Sequence, residues 1–254
     1  TYQHDNVSLK FASANDNDRL QKQQIEQFIK EGVNLLIVSP NQIHTISSVI
    51  DKAYDAGIPV ILFDRKTDSK KYTAFIGADN YEAGHEMGLF IAQQLGGKGS
   101  VVEIGGLKGS SPAIERDRGF TEALKAYPDI KIVGRYYADW QEERGAAVMD
   151  SILAQGVKID YVFGQNDRIA AGARKLAMKR GEKAMKFVGI DSLPAAGGGM
   201  EDVRDGRLVA SYIYPTRCDL VLPVSYSHLT PPTLLPPSHF FFFCTSPYSN
   251  LLTS

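Results

Sequence analysis

Asp64, Arg65, Arg116, Trp140, Asn166, Asp191 and Tyr214 are the side chains best placed to do chemistry. All but Arg116 stand just past a short apolar run, and Arg116 lies at the start of a stretch with helical spacing. If those runs are parallel strands, residues beyond their carboxyl ends face the crevice where open α/β sheets take ligands. The residue types suit a polyol. Carboxylates and amides bridge neighbouring hydroxyls, a guanidinium donates in pairs, and an aromatic face covers the apolar C–H side of a sugar ring. Gln165 and Asp167 flank Asn166 and belong to the same polar run.

Other chemistries lack their residues. There is no G-x-x-x-x-G-K-[ST], and Gly105, Gly106 and Gly109 do not have the spacing of a nucleotide fingerprint. Gly109-Ser110-Ser111-Pro112 is not G-x-S-x-G; it reads as a helix-entry loop with Pro112 at or near the first turn. His4, His44 and His85 have no partners at metal spacing, and the two cysteines, Cys218 and Cys244, form neither a C-x-x-C pair nor a disulfide framework. The expectation is no cofactor, no metal and no catalytic pair, hence no enzyme in this chain.

Plainer readings stay open beside the ligand roles. Asp64 and Arg65 also suit a strand-end ion pair, worth roughly 0–1 kcal/mol if exposed. Asp167 is as good a helix N-cap as a ligand, and Asp79-Asn80 caps the next helix. A cation at a helix start opposes the dipole, which favours a hydroxyl-bearing or anionic partner for Arg116. Trp140 either plugs a hinge or stacks on a ligand; with Asp139 and Gln141 beside it, full burial is not expected.

The elements that must position these residues alternate along the chain. Apolar runs predict strands at 8–12, 34–38, 60–63, 73–76, 100–104, 131–137, 161–163, 186–190 and 208–213. Helical spacing predicts helices at 19–31, 45–56, 81–95, 113–126, 142–154 and 169–179, with a weaker turn at 200–205. Gly32, Gly57 and Gly181 fall at expected helix C-termini. The pattern is that of βαβ units and a mostly parallel sheet.

Residues 220–254 break the pattern: they contain no Asp, Glu, Lys or Arg but two Pro-Pro pairs and four consecutive Phe. No strand or helix period survives there, and 222–235 (LPVSYSHLTPPTLL) resembles translated adapter sequence. The stretch beyond about Arg217 is therefore set apart from the fold. A formal net charge of −1 argues against nucleic acid as a partner. Between Thr1 and Arg217 no stretch of 18 or more uncharged apolar residues occurs and no signal-peptide pattern opens the chain, and the missing initiator Met points to a lost start.

Several motifs together resemble the type I periplasmic binding proteins of the ribose and galactose kind, over about 7–214. They are V-I-L-F-D-R (60–65), I-G-A-D-N (76–80), E-R-D-R-G-F (115–120), A-D-W (138–140), V-F-G-Q-N-D (162–167) and V-G-I-D (188–191). The resemblance implies an α/β, two-lobed fold of parallel doubly wound sheets, with the first lobe incomplete. It implies that Asp64, Arg65, Arg116, Trp140, Asn166 and Asp191 line a sugar site, with Tyr214 where many relatives carry Gln. L-L-I-V-S-P-N (35–41), D-R-K (64–66) and I-G-A-D-N-Y-E-A-G (76–84) are further similar to the sensor domains of Bacteroidetes-type hybrid two-component histidine kinases.

On that footing 1–78 is a partial N-terminal lobe lacking its first strand and helix, and 79–213 is the C-terminal lobe. Residues 214–217 begin a return crossover, and 218–254 are a non-native tail. Strand 8–12 is then expected to lack its neighbour. The expected function is binding a small sugar in the periplasm, as the sensing domain of a hybrid two-component protein whose lobes close by hinge motion. Rivals are the solute-binding component of an ABC sugar transporter, the effector domain of a LacI-type repressor and a doubly wound enzyme. Membrane contact would come only through missing parts of a parent chain, and a homodimer stays open.

Overall fold

A computed structural model describes residues 7–216 and the backbone of 238–243. Residues 1–6, 217–237 and 244–254, and with them His4, Cys218 and Cys244, lie outside the described residues. The chain divides into two units, one of them Asp79–Pro215 and the other built on the residues up to Ala78. Each predicted apolar run is a strand and each predicted helical stretch a helix, with ends shifted by a few residues.

Unit 1 alternates β1 (Val7–Phe11), α1 (Asp18–Lys30), β2 (Leu35–Val38), α2 (Ile43–Asp55), β3 (Val60–Phe63) and β4 (Ala74–Ile76). Asn17 caps α1 by accepting from Leu20 N at 2.9 Å. Gly32 and Gly57 come after α1 and α2 at φ +67° and +79°, a conformation in which a Cβ is strained, so they end those helices. Every residue of β2 and β3 is buried. Ile25 and Phe28 of α1 and Ile46, Val49 and Ile50 of α2 pack on Leu36, Val38, Val60 and Leu62.

One element departs from the expectation. Within the stretch 218–254, expected to lie apart from the fold, Ser238–Phe243 forms β10, parallel to and between β1 and β2; the sheet order is β1-β10-β2-β3-β4. Leu9 pairs with Phe240, and Leu36 with Phe241. It occupies the neighbour position that 8–12 was expected to lack. A gap in a parallel sheet leaves two rows of N–H and C=O groups without partners, and an uncharged, aromatic-rich run satisfies both. Its four consecutive Phe show no apolar–polar alternation, so periodicity does not reveal it.

Unit 2 continues with α3 (Asn80–Gln94), β5 (Lys98–Gly105), α4 (Ser111–Leu124), β6 (Asp129–Tyr137), α5 (Glu142–Leu153), β7 (Tyr161–Gly164), α6 (Asp167–Lys179), β8 (Lys186–Asp191), α7 (Gly199–Arg204) and β9 (Ala210–Ile213). Its five strands are parallel in the order β6-β5-β7-β8-β9. Helices cover both faces. Ile104, Val162 and Phe187 pack with α5 and α6 through Met149, Ile152, Ile169 and Ala173, while Val101, Phe163 and Val188 pack with α3 and α4 through Met87, Ile91 and Phe120. The helices α3 and α4 meet backbone to backbone: a Cβ at Gly84 would overlap the Arg116 carbonyl, and one at Gly119 the Tyr81 carbonyl. That close approach fixes where the second and third turns of α4 sit.

Candidate functional site

At the carboxyl ends of the unit 2 strands the fold brings Arg116, Trp140, Asn166, Asp191 and Tyr214 onto one edge of the sheet. Arg116 lies in the second turn of α4 and is 3% exposed. Its guanidinium carbon is 5.4 Å from the Trp140 ring centre and 4.8 Å from that of Tyr214. Nε donates to Asn80 Oδ1 at 2.9 Å and Nη1 to the Gln165 carbonyl at 2.5 Å. Asn80 Nδ2 in turn donates to the Tyr214 hydroxyl at 3.3 Å. A guanidinium has five N–H donors, and these two bonds fix its plane.

Trp140 comes after β6 in a left-handed backbone at φ +65°, with Asp139 before it at +48°. At 9% exposed it is more deeply buried than its polar neighbours predict: it packs with Ile104, Ala113 and Ala138, and Gly106 lies so close that a Cβ there would overlap the indole. Absence of a side chain at Gly106 makes that burial possible, which the flanking residues cannot reveal.

The cap of α6 is not the residue the sequence offered for it. Asn166, not Asp167, is the N-cap: its Oδ1 accepts from Ile169 N at 2.9 Å and its Nδ2 donates to the Trp140 carbonyl at 3.3 Å. Asp79 caps α3 by accepting from Glu82 N at 2.9 Å. Asp167 is the first helical residue, turned inward, where its carboxylate accepts from Ser192 N at 2.8 Å and from Ser211 Oγ at 2.6 Å. Burial pushes its pKa up to about 7, with the Asp191 and Asp202 charges adding and the Ser211 and Ser192 hydrogen bonds opposing. Asp191 ends β8 at φ +124°, and its carbonyl accepts from Tyr214 N at 3.4 Å.

The sequence placed Gln165 in the polar run after β7 but did not show that it holds this edge together, and it did not single out Glu103. Gln165 Oε1 accepts from Gly106 N at 3.0 Å, and its Nε2 donates to Glu103 Oε1 at 2.8 Å and the Ala113 carbonyl at 3.1 Å, tying β5, β7 and α4. Glu103 is buried. Its carboxyl is pushed up to about 8, first by burial and then by Asp117, against the pull of Gln165 and Arg135. Asn80 and Gln165 stand within I-G-A-D-N and V-F-G-Q-N-D, but only a fold shows which partners they meet.

In unit 1, Asp64 and Arg65 come directly after β3. Asp64 adopts φ +63°, and its N–H donates to the Ile76 carbonyl at 2.8 Å. Arg65 is buried, with Nη1 3.3 Å from the Asn41 carbonyl and 3.4 Å from Asn41 Oδ1. Its Nε lies 3.9 Å from Asp64 Oδ2, the outer limit of an ion pair. Asn41 is thus one anchor of the guanidinium, beside the longer approach of Asp64.

A cavity of about 530 Å³ lies not at this edge but at the opposite end of unit 2, between Leu95, Leu153, Ile159 and Met185. No sequence-predicted site residue lines it. We take the carboxyl edge as the candidate site, because the oriented polar and aromatic groups converge there, where open α/β sheets take ligands.

With this fold and edge, the chain belongs to the periplasmic binding protein domain family, whose model matches residues 2–214. Its architecture is that of the type I members, as the resemblance implied. The solved fructose-binding periplasmic domain of the hybrid two-component system BT1754 is 45% identical, with a TM-score of 0.86 over 94% of this chain and 79% of that one. A Mycobacterium smegmatis protein in complex with β-D-fucofuranose is 31% identical at a TM-score of 0.81, over 91% of this chain and 77% of that one. Among curated proteins, the xylitol-binding protein of Mycolicibacterium smegmatis is 29% identical over 81% of this chain and 58% of its own length. The ribose import binding protein RbsB of Escherichia coli is 30% identical over 74% and 62%. The chain thus spans about three-fifths of the length of these curated relatives.

Proposed function

We propose that the chain binds a small sugar and performs no catalysis, acting in the periplasm as the ligand-sensing domain of a hybrid two-component protein. The observation that carries this is the Arg116 guanidinium lying against both the Trp140 and the Tyr214 ring and locked by Asn80 and Gln165. A rigid donor fork beside two aromatic rings, with the Asp191 carboxylate and the Asn166 amide on the same edge, matches the alternation of hydroxyl and C–H surface on a sugar. Asp64 and Arg65 are proposed as ligand groups of unit 1. D-fructose is the first ligand to test, from the 45% identical sensor domain. The second reading, a solute-binding component of a sugar transporter, is favoured by the likeness to RbsB; it shares the ligand chemistry and differs only in whether a signalling portion is joined to the domain.

A thermal-shift screen of the full chain against D-fructose, D-ribose, D-galactose and xylitol tests the ligand class. A bound sugar at a hundred times its Kd contributes about 2.7 kcal/mol, which raises the midpoint by about 5–10 °C. The shift disappears in Asp191→Ala and Asn166→Ala. A cooperative melt that none of the sugars moves rejects the proposal.

A further inference from the structure

We propose that Asp167 is a positioning residue for Asp191, holding the turn after β8 in the shape that presents the Asp191 carboxylate; the inference rests on the sugar-site reading above. Asp191 and Ser192 sit at φ +124° and +49°, conformations that L residues seldom adopt and that persist only where the surroundings over-determine them. Asp167 supplies that constraint. One carboxylate oxygen takes the Ser192 N–H at 2.8 Å and the other the Ser211 hydroxyl at 2.6 Å, while Ser192 Oγ donates to the Ser211 carbonyl at 2.9 Å. Three elements, α6, β8 and β9, are thereby tied at one buried point. The backbone closes around it: a Cβ at Gly189 or Gly199 would overlap the Asp167 carboxyl.

The charged groups facing Asp167 are carboxylates, Asp191 on β8 and Asp202 on α7, the latter paired with Arg207. With its pKa pushed up to about 7, Asp167 changes charge near neutrality. A sugar covering Asp191 removes water that screens it from Asp167, so the bound state favours neutral Asp167 and binding takes up a proton. Affinity therefore falls as pH rises through about 7.

The test is calorimetric titration of D-fructose into the full chain from about pH 5.5 to about pH 8.5, bracketing the value of about 7. The unmodified chain loses about three- to tenfold in affinity across that range, the equivalent of half to one pKa unit of coupling. Asp167→Ala binds about tenfold more weakly with a flat profile, and Asp167→Asn, which keeps a hydrogen-bonding planar group, recovers most of that loss and is also flat. Wild-type affinity in Asp167→Ala, or the wild-type pH profile in Asp167→Asn, overturns the proposal. Should Asp167→Ala fail to fold, Asp167→Asn and Ser211→Ala carry the test: a wild-type profile in both overturns it. Asp191→Ala separates the two readings. If it binds normally, or the unmodified chain does not bind at all, the sugar site is wrong. If it abolishes binding while the Asp167 variants behave as wild type, only the positioning role of Asp167 falls.

Discussion

Arg116 has little freedom left to lose on binding, because two rings lie against it and two acceptors fix its plane. Lysine keeps the charge but not the planar fork, so Arg116→Lys should weaken sugar binding about ten- to a hundredfold in a titration while leaving a cooperative melt. Glu103 bears on stability instead. Its folded pKa of about 8 exceeds its ordinary value of 4.5, so the folded state holds the proton more tightly than the unfolded chain. The stability this contributes is complete below about 4.5 and is lost as pH rises through about 8. Glu103→Gln should flatten that decline and melt higher than the unmodified chain above about pH 8; a parallel decline in both would contradict it. At this scale the polar inventory was legible in sequence but its pairing was not. Asn166 and Asp167 are neighbours of equal capping ability, and only the inward turn of Asp167 onto Ser192 and Ser211 assigns the cap to Asn166. Tyr214 meets Asn80 across 134 residues of sequence, a distance no local pattern spans.

The helices α3 and α4 carry Asn80 and Arg116 toward each other, and the contact depends on glycine. Gly84→Ala or Gly119→Ala puts a methyl against a carbonyl of the opposite helix. Either should cost about 1–3 kcal/mol, seen as a drop of about 2–4 °C in melting midpoint for each kcal/mol, and should weaken sugar binding as Arg116 is displaced. An unchanged midpoint would mean that the helices part more easily than their contact suggests. The strands and helices themselves were legible, because Leu35–Val38 and Val60–Phe63 are continuous apolar runs and the helices bury one face each. The left-handed residues at strand ends, Asp64, Asp139, Trp140 and Asp191, were not: tertiary contacts impose them on residue types that do not demand them.

Across the whole molecule, family membership rests on residues 2–214, while β10 comes from beyond that match. Its backbone ladder joins β1 to β2. Ending the chain at Arg217 should therefore speed amide exchange in Leu35–Val38 and leave Tyr161–Gly164 of unit 2 unchanged; equal protection of β2 with and without residues 218–254 would show that the ladder adds nothing. The composition break at 220 was plain in sequence, yet four consecutive Phe carry no period of two by which to find a strand.

The central claim is that the Arg116, Trp140 and Tyr214 edge holds a sugar, and Trp140, the sole tryptophan, lies in it. Titrating D-fructose into the full chain while following tryptophan fluorescence tests this directly. A sugar at this edge produces a saturable change that Arg116→Ala abolishes. A cooperatively folded chain whose fluorescence and melting midpoint D-fructose, D-ribose, D-galactose and xylitol all leave unmoved would contradict it.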